Sequence, residues 1–440
     1  VRPGFNRPIR AALDFSARAG LGRPLCAALR WPAAEIAPVE CDRLPTALGQ
    51  DGDQASLARR LSSTRIPHGH VQSPQSRKDI MELRHGFAMN GRFLTQDLTG
   101  VQRYAWNVAR HLNDILDALN ASAPILAPGQ AIDPHLPRMP LVEFSRLGGH
   151  AWEQFALPGR WPGTLLNLCN TAPAIKTGQV VCIHDANVFI RPESYSTSFR
   201  MYYRFLQNVI VRRSTKITSV SANSAAQIAN YLPLKASQID VLPNGHEHAL
   251  EWEPQLAQSA PSLVSGRRGG PERPFVLALG SRAPHKNLRL IMDIAPRLGE
   301  DGIDVIVVGG SAKIYSADAL TGGDNVLFTG RIDDNDLAFL LERALCLLFP
   351  SWTEGFGLPI VEAMARGCPV VSSDRASMPE VCGDAALMAA PDDPATWVRH
   401  VESLRASRDL RGELIAAGRQ RVNRFSWRTT AQAYADLVRG

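Results

Sequence analysis

From Phe87 onward, short apolar runs alternate with segments patterned as helices. The runs at 180–185 (VVCIHD), 216–222 (KITSVSA), 240–245 (DVLPNG), 275–281 (FVLALGS), 304–310 (DVIVVGG), 325–330 (NVLFTG), 345–351 (LCLLFPS) and 368–374 (CPVVSSD) read as strands. Several end in Gly, Ser or Asp and lead into a helix. This is the rhythm of a parallel sheet covered on both faces, and in such sheets ligands lie beyond the carboxyl ends of the strands. A helix is expected from Leu358, with Pro359 in its first turn, where a missing N–H costs nothing. Thr99 is a plausible N-cap for the helix in TGVQRYAWNVARHL, and Ser426 for a last helix that runs to the chain end.

Residues before about 80 carry no sustained period and are rich in Arg, Pro, Ala and Ser. Segment 1–82 is therefore expected to be a flexible extension, or a leader ahead of a start near Met81. Segment 247–273 is rich in Gly, Pro and Ser and reads as a linker. Two α/β domains follow from this, at 83–246 and 274–424, with a terminal helix over 425–440.

Composition changes the picture little. A chain of 440 residues exceeds one ordinary core. A net charge of +6 with scattered arginines argues against a dedicated nucleic-acid binder and leaves an anionic ligand or membrane surface open. The seven cysteines, at 26, 41, 169, 182, 346, 368 and 382, are widely spaced and mostly embedded in apolar runs. They read as buried free thiols of a reducing, cytoplasmic compartment. No C-x-x-C pair suggests zinc, and no apolar run is long enough to cross a bilayer.

The stretch PSWTEGFGLPIVEAMARGCPVV (350–371) carries the most chemistry. Glu354 lies in a glycine-rich loop and Glu362 in the helix that follows. Eight helical residues would span about 12 Å, longer than the roughly 5–9.5 Å between paired carboxylates that share one glycosidic bond. Two contacts to separate parts of one long ligand fit better. Gly355 and Gly357 remove side chains where the backbone must approach something, and the helix start offers free amides to an anion. Carboxylates suit hydroxyl pairs. A phosphate near the helix start with a polyol at Glu354 and a diol at Glu362 describes a sugar nucleotide.

The segment EGFGLPIVEAMARGCPVVSSD resembles the E-x7-E region of family 4 glycosyltransferases, retaining enzymes of the GT-B fold. NGRFLTQDLTGVQRYA (90–105), WEQFALP (152–158), IHDANVF (183–189), VLPNGHEH (241–248), ALGSRAPHKN (278–287) and FTGRIDDNDLAFLL (328–341) resemble the same family in the same order. The resemblance implies two Rossmann-like domains facing a cleft, with the C-terminal helix crossing back to the first. It implies Glu354 on the transferred sugar, Glu362 on the nucleotide ribose and Lys286 on the donor diphosphate, where charge builds as the bond breaks. It also implies His184 near the reacting centre, with Gly100, Gly355, Phe356, Gly357 and Leu358 around the donor. Many members carry an arginine where this chain has Ser281, so Arg282 is expected to substitute, and His285 replaces another frequent arginine. Gln102 and Arg103 are expected on the acceptor side.

The implied reaction moves a sugar, with mannose from GDP-mannose as first choice, from a nucleoside diphosphate to a hydroxyl of a growing, lipid-linked surface glycan. Glucosyl and rhamnosyl transfer, a sugar-nucleotide epimerase and a non-catalytic glycan-binding or scaffold protein are the alternatives. No cofactor is expected, and no metal: Asp334 and Asp336 in DDND form a D-x-D but read better as caps of the helix NDLAFLL. FRMYYRFLQNVIVRR (199–213) mixes aromatics with arginines at helical spacing. It reads as an ordinary amphipathic helix with its aromatics in the core, or as a surface resting on an anionic inner membrane.

Overall fold

A computed structural model describes residues 86–265, 273–280, 283–309 and 323–439. The expected extension over 1–82, residues 266–272, and Ser281 and Arg282 lie outside the described residues. The first domain holds seven parallel strands: β1 (Phe87–Asn90), β2 (Ile125–Ala127), β3 (Leu141–Glu143), β4 (Thr164–Asn167), β5 (Gln179–Cys182), β6 (Lys216–Ser219) and β7 (Ile239–Val241), in the order β3-β2-β1-β4-β5-β6-β7. The second holds six: β8 (Phe275–Leu279), β9 (Asp304–Val308), β10 (Val326–Gly330), β11 (Cys346–Phe349), β12 (Val370–Ser373) and β13 (Leu387–Ala389), ordered β10-β9-β8-β11-β12-β13. In the second sheet Leu277 of β8 pairs with Ile306 on one side and Leu347 on the other. Val276, Leu277 and Ala278 are buried, as strands covered on both faces require.

All eight expected strands form, each starting within two residues of its expected position, but most stop early: β5 ends at Cys182, leaving Ile183, His184 and Asp185 in the loop beyond it. The residues with chemistry thus sit past the sheet edge. β1–β4 and β13, each of three or four residues, were not singled out from the sequence.

The helices used below are α1 (Gly100–Ala118), α2 (Thr197–Arg213), α3 (Ala222–Tyr231), α4 (Glu247–Leu250), α5 (Ala260–Val264), α6 (Leu288–Glu300), α7 (Asp334–Leu341), α8 (Leu358–Ala365), α9 (Met378–Cys382), α10 (Pro394–Ala406), α11 (Arg408–Val422) and α12 (Trp427–Arg439). α8 starts at Leu358 as expected. α1 starts after Thr99, but the Thr99 side chain caps no amide and pairs with the Gln102 side chain instead. The segment after Glu247 is more structured than its composition suggests. Pro254 and Pro261 stand in the first turns of short helices, where proline is tolerated, and Ala249, Trp252 and Ala260 are buried.

α12 crosses back to the first domain and packs on α1. Tyr434 Oη lies 3.0 Å from Tyr104 Oη and 2.8 Å from Thr218 Oγ1, and the Tyr104 hydroxyl lies 2.9 Å from the Leu242 carbonyl. Trp427, Tyr434 and Tyr104 are fully buried there. Two Rossmann-like sheets flanking a cleft, joined by a returning C-terminal helix, make this a GT-B architecture.

Candidate functional site

In each sheet the strand order reverses direction at one point, between β1 and β4 in the first and between β8 and β11 in the second. Open α/β sheets bind ligands beyond such switch points. Lys286 follows β8, and Glu354 follows the neighbouring strand β11, so topology brings them together: Lys286 Nζ lies 2.6 Å from Glu354 Oε1. Asn287 adopts a left-handed backbone (φ 54°) and donates from Nδ2 to the Pro350 and Pro391 carbonyls at 3.2 and 2.8 Å, which ties the two loops. The Ser377 hydroxyl donates to the carbonyls of Glu354 and Phe356 at 3.0 and 2.9 Å.

The loop glycines have separate reasons. A Cβ on Gly355 would lie 2.4 Å from the His184 carbonyl oxygen of the first domain. The close approach inferred from the sequence is therefore met by the opposite domain's backbone. The Gly355 carbonyl accepts from the hydroxyls of Ser221 and Ser224 at 2.6 and 2.9 Å. Gly357 has φ +102°, a conformation that disfavours a side chain, at the N-cap of α8. Phe356 is buried edge-on against Phe425 with centroids 5.3 Å apart, and Leu358 is also buried, so neither turns its side chain to the cleft. Around Gly100 a Cβ would meet nothing within 4 Å.

Across the cleft, Glu380 of α9 accepts from the first two amides of α3, Ala222 N at 2.8 Å and Asn223 N at 3.0 Å. One domain thereby caps a helix of the other. Thr353 Oγ1 reaches Asn187 Oδ1 at 3.2 Å.

His184 lies at the carboxyl end of the first sheet, but its Nε2 is 2.8 Å from the Leu168 carbonyl and must carry the proton. That nitrogen is turned back into its own domain. Asp185 beside it accepts from Asn187 N at 2.8 Å, and burial, reinforced by the Glu354 charge, raises its carboxyl above the usual range despite the Asn187 amide and His184. Burial together with Asp185 and Glu354 pushes the Tyr195 hydroxyl up to about 12, and burial lowers His285. Asp185, Tyr195 and His285 thus each feel the charge of Glu354. Asp185 and Tyr195 were not singled out as site residues from sequence, because their meeting depends on the fold.

Glu362 is buried in α8 and is held from outside its own domain. His248 Nε2 lies 2.9 Å and Arg103 Nε 3.8 Å from its Oε1. Arg103 also places its fork on Asp334, at 2.9 and 2.7 Å. Burial works against the Arg103 charge, but hydrogen bonds to Asp334 and the charge of Glu362 raise its pKa above the ordinary guanidinium value. Gln102 bonds Gln96 at 3.0 Å and does not reach this group. Beside the Arg103 and His248 side chains opens a cavity of about 800 Å³, also lined by Trp106, Trp252, Arg331 and Asn335.

The expected capping roles of Asp334 and Asp336 need correction. The N-cap of α7 is Asp333, whose carboxylate accepts from Asp336 N. Asp334 serves Arg103, and Asp336 accepts from the amides of Gln258, Ser259 and Ala260 at the start of α5. Among the described residues, no three His, Cys, Asp or Glu side chains are grouped to hold a metal.

A second cluster, also missed from sequence, occupies the switch point of the first sheet. Glu153 is fully buried, 2.8 Å from Asn90 Nδ2, 3.2 Å from Arg92 Nε and 3.3 Å from His150 Nδ1. Burial alone would raise its carboxyl, but the bonds from His150 and Asn90 and the Arg92 charge hold it below the usual range. The only hint was an acid inside the apolar run WEQFALP.

Residues 267–421 match the family model for glycosyl transferases, group 1. The O-antigen chain mannosyltransferase RfbU of Salmonella typhimurium is 28% identical over 244 residues, covering 53% of this chain and 64% of that one. O-antigen chain mannosyltransferase B of Escherichia coli is 32% identical over 265 residues, covering 56% and 66%. The chain spans just under two thirds of the length of these two relatives. Among solved structures, sucrose-phosphate synthase from Thermosynechococcus elongatus superimposes with a TM-score of 0.60 at 17% identity, covering 81% of this chain and 98% of that one. WaaG, a glycosyltransferase of lipopolysaccharide biosynthesis, superimposes with a TM-score of 0.58 at 16% identity, covering 80% and 99%. The molecule has the GT-B fold, and its second half is similar to the group 1 glycosyl transferases.

Proposed function

We propose that this chain is a glycosyltransferase that moves a sugar from a nucleoside diphosphate to a hydroxyl of a glycan with retention of anomeric configuration. The observation that carries this reading is the Lys286–Glu354 pair at the switch point of the second sheet, 2.6 Å apart and opposite the first domain. Lys286 is a compact cation on a flexible stem, so a donor diphosphate can draw it from Glu354 at small net cost. Glu354 is then released to accept hydrogen bonds from hydroxyls of the transferred sugar. Lys286 neutralises the charge that develops on the leaving phosphate. The acceptor hydroxyl attacks from the face that the phosphate leaves, and its proton passes to the departing phosphate oxygen. Glu362 holds the ribose, and the nucleoside extends into the cavity beside Arg103 and His248.

The donor assignment to GDP-mannose rests on resemblance and on the two mannosyltransferases named above. Calorimetry against a panel of nucleoside diphosphate sugars tests it. Selective binding of a GDP sugar, with slow hydrolysis of GDP-mannose, is the expected result, and preference for a UDP or deoxythymidine sugar replaces the assignment.

The acceptor is assigned as a lipid-linked oligosaccharide, with the protein peripheral on the cytoplasmic face of an anionic membrane. α2 supports this: it carries four arginines and no acid, and Met201 and Phe205 on its outer face are each 68% exposed. Tyr202 and Tyr203 are partly buried against His150, so only part of the aromatic set faces inward. Among the described residues, no helix is long and apolar enough to cross a membrane. Vesicle flotation with and without anionic lipid is the test, repeated with Arg212 and Arg213 neutralised; recovery independent of lipid charge removes the membrane assignment.

A further inference from the structure

Three consecutive side chains of the segment that leaves the first domain grip the start of the returning helix. His246 Nδ1 lies 2.7 Å from the Phe425 carbonyl. Glu247 accepts from Ser426 Oγ at 2.6 Å and from Trp427 N at 3.0 Å. His248 Nδ1 lies 2.9 Å from Trp427 Nε1. The approach is so close that a Cβ on Gly245 would fall 2.1 Å from Trp427 N.

The last contact fixes a tautomer. An indole N–H only donates, so Nδ1 of His248 is the acceptor and bears no proton. The ring proton is therefore on Nε2, which faces Glu362 Oε1 at 2.9 Å and donates to it. Both side chains are buried, at 4% and 7% exposure, so water does not compete for this bond. The imidazole edge also packs against Trp252 at 5.5 Å between centroids, which limits ring rotation. Arg103 addresses the same carboxylate oxygen from the first domain. Among the described residues, no hydrogen bond reaches Oε2 of Glu362.

We propose that Trp427, His248 and Glu362 form a positioning relay, in which the docked crossover helix sets the histidine tautomer and the histidine sets the rotamer of Glu362. One carboxylate oxygen is immobilised from behind, and the other is presented to the ligand. His248 touches no substrate and acts through Glu362. The inference rests on the reading that Glu362 binds the ribose diol, and it adds a dependence of that binding on a helix from the far end of the chain. A purely structural histidine would stabilise the fold and leave diol recognition unchanged.

The test uses the full chain, with GDP and UDP titrated beside their 2′,3′-dideoxy forms. Hydrogen bonds to a charged group predict that the wild type prefers the intact diol by about tenfold or more. His248→Leu is expected to bring the preference close to one while affinity for inorganic pyrophosphate stays within about twofold. His248→Gln, whose amide can accept from Trp427 and donate to Glu362, is expected to keep it within about threefold of wild type. Trp427→Phe keeps an aromatic ring, deletes the donor and is expected to lower the preference by about threefold, which provides a readout if the leucine variant does not fold. An undiminished preference in the folded leucine variant or in Trp427→Phe overturns the relay and leaves the Glu362 reading intact. A wild type indifferent to the diol overturns that reading, and the relay with it.

Discussion

Glu354 and Glu362 belong to one loop-and-helix segment, yet they are held in opposite ways. Glu354 sits in a loop and is paired with the flexible ammonium of Lys286 from its own domain. Glu362 sits inside α8 and is addressed by a ring and a planar guanidinium, one from the segment between the domains and one from the first domain. The first pair can exchange partners as a ligand arrives. The second is preset, and only with the two halves assembled. The same residue type is thus left free to change partners in one place and fixed in the other, a difference set by the stiffness of its partner.

The largest effect expected from breaking this contrast is at the ammonium. Lys286→Ala should lower turnover by about a thousandfold, the order lost with one preorganised group at a developing anion; single-turnover transfer within tenfold of wild type would remove the leaving-group assignment. Next, the two glutamates should separate kinetically. Glu354→Gln is expected to reduce kcat by about a hundredfold with nucleotide affinity changed little, whereas Glu362→Gln should weaken nucleoside diphosphate binding by about tenfold with a smaller change in kcat. The reverse pattern would invert the comparison.

Glycines sharpen it on the stability side. Gly355→Ala puts a methyl group 2.4 Å from the His184 carbonyl, and a loss of ~1–3 kcal/mol is expected in chemical denaturation. Gly100→Ala meets open space and should stay within about 0.5 kcal/mol. A smaller effect than at Gly355 belongs to the Arg103–Asp334 fork, whose aspartate is 40% exposed. A double-mutant cycle should give a coupling of about 1 kcal/mol that shrinks with added salt; a coupling near zero would make the fork a bystander.

The architecture was legible wherever local punctuation marks it. Gly357, Leu358 and Pro359 announce the start of α8, and the apolar runs of the five-residue strands β8 and β9 read as buried strands. The short strand β1, FAMN, was not singled out. Glu354 and Glu362 could be picked out by their setting around Gly355, Gly357 and Pro359, whereas Lys286 stood out only through the resemblance. Their partners could not: His248 meets Glu362 from 114 residues away, and Arg103 meets Asp334 from 231. The acids of DDND show the limit most directly. Their spacing suggests capping, but only Asp333 caps its own helix, while Asp334 and Asp336 serve other elements.

Glu380 gives the seam between the domains a property of its own. Its two oxygens occupy the leading amides of α3, which the Ser221 cap of the same domain leaves open, so parting the halves leaves two N–H dipoles for solvent to recapture. Both bonds are lost together when the halves part, and Ser221 alone then holds the start of α3.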